Sequence, residues 1–90
     1  MAKWNKTCNE FKEVREMISN DGSNRDILDR LVKICAKYSK QDWGFAEDFS
    51  DLGSEIYYAL TQYEDDDDSV NYYIGEFYDL CDNAGVWLGI

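Results

Sequence analysis

The chain contains no histidine and no proline, and no basic residue anywhere after Lys40. The first absence removes the side chain that most often acts as general base near neutral pH. The second leaves no position at which the backbone itself forbids a helix. A glycine-rich phosphate loop and a nucleophile elbow are also missing, so catalysis is not expected. The N-terminal stretch "MAKWNKTCNEFKEVRE" is charged throughout and lacks the apolar core of a signal peptide. No segment approaches the ~20 apolar residues that span a bilayer. The expectation is a cytoplasmic protein with no membrane contact and no cofactor.

Cysteine is scarce. Cys8, Cys35 and Cys81 are widely separated and have no histidine to complete a ligand set, whereas a structural zinc site takes four nitrogen or sulfur ligands, often as close pairs. Each falls beside apolar residues at helical spacing. Buried free thiols are expected, because cysteine behaves as a small hydrophobe.

What is present is a folded chain of 90 residues with three Trp, four Phe and seven Tyr, enough for one core and one domain spanning residues 1–90. Apolar spacing predicts an all-α, four-helix bundle-like domain. The first helix opens at a Thr7–Glu10 capping box, sets Cys8, Phe11, Val14 and Ile18 on one face, and stops at "NDGSN". The second runs from a Ser23 or Asn24 cap to about Ser39, with Ile27, Leu28, Leu31, Ile34, Cys35 and Tyr38 as its stripe. The third carries Phe45, Phe49, Leu52, Ile56, Leu60 and Tyr63 at steps of four and three. Gly53 lies within it and costs about 1 kcal/mol against alanine, which marks a break near Ser50–Ser54. The fourth starts at a Ser69 cap and turns Val70, Tyr73, Ile74, Phe77, Leu80 and Cys81 inward until "DNAG" ends it. The apolar tail "VWLGI" is expected to pack back onto the bundle. The β-branched and aromatic content of residues 70–78 admits an α+β alternative, with a short strand or hairpin there.

Charge carries the functional signal. The net charge is −10, yet residues 1–40 hold nine basic and six acidic groups, while residues 41–90 hold thirteen acidic and no basic ones. Asp48, Asp51 and Glu55 step along the polar side of the third helix, with Tyr58 one step beyond. Glu76, Asp79 and Asp82 do the same on the fourth, with Tyr72 outward beside them. Between the helices lie Glu64, Asp65, Asp66, Asp67 and Asp68, which would join the two acidic faces. Helical acids at this spacing sit roughly 5–6 Å apart along the axis, loosely like phosphates. Like charges at i,i+4 cost a few tenths of a kcal/mol each, and a surface tuned for stability alone would intersperse lysines. Outward tyrosines add contact area suited to docking. An EF-hand register from Asp65 would use Asp67, Ser69 and Glu76, but puts Val70 where the loop needs glycine. On the second helix, Arg30, Lys33, Lys37 and Lys40 form a basic stripe, expected to pair with acids of this chain or of a second copy in a homodimer.

In size, acidity, exposed carboxylates and aromatic content over residues 42–82, the chain resembles the small DNA-mimic proteins with which phages block restriction or CRISPR nucleases. No motif is shared, so no functional residue carries over. It is similar in the same traits to the immunity proteins that neutralise nuclease bacteriocins and contact-dependent toxins. The resemblance implies an inhibitor whose partner is a basic nucleic-acid-binding protein, with no direct binding of nucleic acid. A dimerising adaptor is the alternative from another class.

Overall fold

The computed structural model describes residues 6–62 and 67–88. Four helices dominate: α1 (Phe11–Ser19), α2 (Asn24–Ser39), α3 (Ala46–Gln62) and α4 (Asp67–Ala84). Two short strands, β1 (Lys6–Thr7) and β2 (Val86–Trp87), flank them and pair in parallel, Lys6 opposite Val86 and Thr7 opposite Trp87. The helical bundle is therefore as expected, and residues 70–78 are helix, not strand. No helix among the described residues is long and apolar enough to cross a membrane.

The N-terminal capping box does not form. Thr7 lies in β1, and Glu10 takes the N-cap position in helical conformation with no side-chain cap bond. The reason is competition from the tail: the Cys8 N–H donates to the Trp87 carbonyl at 2.7 Å and the Lys6 N–H to that of Gly85 at 3.1 Å. Pairing two chain segments satisfies the backbone where a local cap would have done so, and it frees the Glu10 carboxylate to accept from Lys37 Nζ at 2.7 Å. The tail does pack back, with Val86 and Leu88 buried. It can turn because Gly85 ends α4 at φ 75°, a left-handed conformation that glycine adopts without strain.

The second helix begins as its sequence indicates, the Ser23 hydroxyl accepting from the Asp26 N–H at 3.1 Å. The fourth begins earlier than expected. Asp67 opens it and Ser69 falls inside the first turn. Ile18, expected in the core, is 44% exposed; α1 ends one residue later, beyond the reach of the packed layer. Tyr63 lies outside the described residues.

Gly53 does not break α3. A β-carbon built there would stand 3.0 Å from Cys35 Cβ, so glycine lets α3 settle against α2 more closely than any larger residue would. Aromatic rings then tie the layers together. Phe11 of α1 stacks on Phe77 of α4 (centroids 5.6 Å), Phe77 meets Phe49 of α3 edge-on (6.3 Å), and Phe49 contacts both Tyr38 (5.1 Å) and Trp43 (5.6 Å). Pairs of this geometry add ~0.5–1.5 kcal/mol each beyond burial. The three cysteines are free and buried. Burial pushes the Cys35 thiol up to about 12 and raises Cys8 and Cys81 in the same direction, as it does the Tyr38 phenol.

Two outcomes follow for stability. Gly53→Ala lowers the unfolding free energy by roughly 1 kcal/mol, the overpacking cost exceeding the gain in helix propensity. Gly75→Ala, on an exposed stretch of α4 where a β-carbon meets nothing within 4 Å, raises it by about 0.5–1 kcal/mol; urea denaturation of both variants reads the opposite signs. The second outcome concerns alkali. An unfolded thiol titrates near 9, the folded Cys35 only at about 12, so the native state keeps its proton through that window while the unfolded chain loses it. Stability is fully present below pH 9 and declines as pH rises toward 12, by up to roughly 1 kcal/mol per pH unit for each such group. Denaturation midpoints across that range measure it, and Cys35→Ala makes the slope shallower.

Candidate acidic groove between helices 3 and 4

The α3 stripe that buries Phe49, Leu52, Ile56 and Leu60 leaves Asp48, Asp51 and Glu55 on the side facing α4. On α4, burial of Val70, Phe77 and Cys81 turns Glu76 and Asp79 toward α3. The five carboxylates border one open groove of about 420 Å³. Phe45, Leu52 and Leu80 supply its apolar floor, and Asn83 also lines it. None of the five acids makes an ion pair among the described residues.

Tyr58 and Tyr72 stand at the far end, where they share a depression with Glu55. Both are well exposed. The Tyr72 hydroxyl is held above its ordinary pKa, first by its hydrogen bond with the Glu76 carboxylate and then by the charges of Glu76 and Glu55. A tyrosine of α4 thus senses carboxylates from both helices.

Seven of the residues singled out by sequence therefore meet on one surface: Asp48, Asp51, Glu55, Tyr58, Tyr72, Glu76 and Asp79. Asp82 does not line the groove itself; it borders an adjoining depression with Tyr78, Asp79, Val86 and Trp87. Asp68 is exposed in the first turn of α4, which Asp67 opens. Glu64, Asp65 and Asp66 lie outside the described residues. Sequence spacing missed the floor, because Phe45 and Leu80 read simply as core, and it missed Tyr73, which reads as inward yet borders the tyrosine end.

Three of the four members of the basic stripe, Arg30, Lys33 and Lys37, pair within the chain, and Lys40 caps the end of α2. Arg30 contacts Glu13 at 3.0 Å, Lys33 contacts Asp29 at 3.1 Å and Lys37 contacts Glu10 at 2.7 Å. Two of these pairs bind α2 to α1. Half-exposed pairs of this kind contribute little stability, ~0–1 kcal/mol, but they balance the charge of that half.

Residues 67–76 are continuous helix, whereas an EF-hand holds these positions in a loop; Asp65, where that register begins, lies outside the described residues. Among the described residues no group of three His, Cys, Asp or Glu side chains could hold a metal. No protein-family model matches the chain, nor does any curated protein or solved structure.

A groove of uncompensated like charge carries a stability cost, which sets an expected outcome. Asp51→Asn, which relieves repulsion with Asp48 and Glu55, stabilises the fold by a few tenths of a kcal/mol. Raising salt from about 0.05 to about 0.5 M stabilises the wild type more than this variant, since screening already removes part of the same repulsion. Urea unfolding at the two salt levels tests it; a destabilised variant would show that Asp51 serves the fold.

Proposed function

We propose that the protein is an inhibitor that presents its α3–α4 groove to the basic nucleic-acid-binding surface of a nuclease or nucleoprotein complex, standing in for DNA or RNA. The observation that carries this reading is the convergence on one groove of five carboxylates from two helices, none in an ion pair among the described residues, on a chain whose cations are confined to the other half. Such a surface draws a basic partner from a distance and speeds association at low salt. It acts by occupancy: while the groove is seated, the true substrate is excluded. Nucleic acid itself is repelled.

The setting that fits the small size and charge best is phage anti-defence, against a restriction or CRISPR nuclease in the host cytoplasm. The exposed tyrosines Tyr58 and Tyr72 beside Glu55 favour a second reading, an immunity protein against a nuclease toxin, because aromatic anchors suit a specific protein interface. The dimerising adaptor draws least support, since Arg30, Lys33 and Lys37 already pair within the chain.

Immobilised protein incubated with bacterial lysate should retain a nucleic-acid-binding protein that duplex DNA displaces, with retention falling as salt rises past about 0.15 M. The triple variant Asp48→Asn, Asp51→Asn, Asp79→Asn should lose retention while keeping its helical circular dichroism. Retention by the triple variant, or a captured protein that DNA does not displace, overturns the proposal.

A further inference from the structure

The tyrosine end of the groove differs chemically from the rest of it. Ser54, Glu55, Tyr58, Tyr72 and Tyr73 border a depression of about 380 Å³. Tyr58 and Tyr72 are 61% and 59% exposed, and Tyr72 stands edge-on to Tyr73 with ring centroids 5.1 Å apart and planes at 78°. Glu55 lies in the depression, and Glu76, which lines the adjoining groove, is near the Tyr72 hydroxyl. Aromatic faces are negative in quadrupole, and here they adjoin two full negative charges.

Elsewhere the chain covers two of its aromatic faces with its own cations. Lys6 Nζ lies 4.8 Å over the Trp43 ring and Lys37 Nζ 5.7 Å over that of Tyr38. No cation among the described residues lies over Tyr58 or Tyr72. All nine Lys and Arg precede residue 41, and Arg30, Lys33 and Lys37 are held by Glu13, Asp29 and Glu10. The exposed rings of Tyr58 and Tyr72 are therefore open to a cation from another molecule.

Its chemistry follows from the shape. The site is open and shallow, so the incoming group keeps contact with water. An ammonium holds its hydration shell tightly there and gains little. A guanidinium is flat and weakly hydrated; it can lie against a tyrosine face while its N–H groups reach a carboxylate. We propose that the Tyr58–Tyr72–Tyr73 pocket, with Glu55 and Glu76 at its edge, receives an arginine side chain of the partner protein. This rests on the reading of the groove as a docking surface for a basic protein, and divides the labour within it. Asp48, Asp51 and Asp79 supply attraction that any cation satisfies, and the tyrosine pocket selects arginine over lysine.

Hexa-arginine and hexa-lysine, equal in length and charge, are the probes, titrated against the full chain at about 0.15 M salt with tyrosine ring resonances as the readout. Both should bind, hexa-arginine more tightly by roughly threefold or more. Tyr58→Phe and Tyr72→Phe keep the preference, because the ring face remains. The double variant Tyr58→Ala, Tyr72→Ala equalises the two peptides without unfolding the chain, since both side chains are exposed. Equal affinity for the wild type, or a preference that survives the double alanine variant, overturns the arginine pocket and leaves the acidic groove standing. Failure of both peptides to bind overturns the pocket and the groove together.

Discussion

The approach of α3 to α2 at Gly53 governs the arrangement of everything else. With a β-carbon position only 3.0 Å from Cys35 Cβ, the two helices are locked in rotation as well as distance. Any turn of α3 about its axis would drive Ser54 or Leu52 into a space where even a β-carbon is tight. That lock fixes which side of α3 faces inward, and so places Asp48, Asp51 and Glu55 on the side toward α4. The aromatic series from Phe11 through Phe77 and Phe49 to Tyr38 then holds α4 at the distance that makes a groove and not a closed seam.

Electrostatically the domain is two halves under different rules. Helices α1 and α2 interleave charges of both signs and join them through Arg30–Glu13 and Lys37–Glu10, the usual behaviour of a soluble surface. Helices α3 and α4 carry one sign only. Packing sustains that imbalance: the repulsive terms amount to a few tenths of a kcal/mol each, while burying a side chain such as Phe49, Ile56 or Phe77 contributes about 1.5–3 kcal/mol. The core can therefore carry an unfavourable surface without help from the surface itself.

Much of this was legible in the sequence, and the misses share a cause. Helix existence, the inward stripes and the Ser23 cap all follow from local spacing, which a single chain displays directly. So does the acidic face, because a one-sided helix leaves its polar residues in register. What escaped depends on partners distant in sequence. Thr7 reads as a cap until Trp87 takes the neighbouring N–H. Gly53 reads as a break until Cys35 occupies the space above it. Phe45 and Leu80 read as core until α3 and α4 are set far enough apart to expose them as a floor. In each case a residue's local preference was overruled by a contact that no window of sequence contains.

The parallel pairing of β1 with β2 bears on when the protein can exist as a folded object. Lys6 and Val86 are partners, so the strand made first waits until all four helices have been made for the one that completes it. Closing so long a loop is slow compared with forming any of the four helices. During translation the helices have time to form, while Lys6 and Thr7 wait for Val86 and Trp87. The pairing therefore acts as a clasp that closes after the helices.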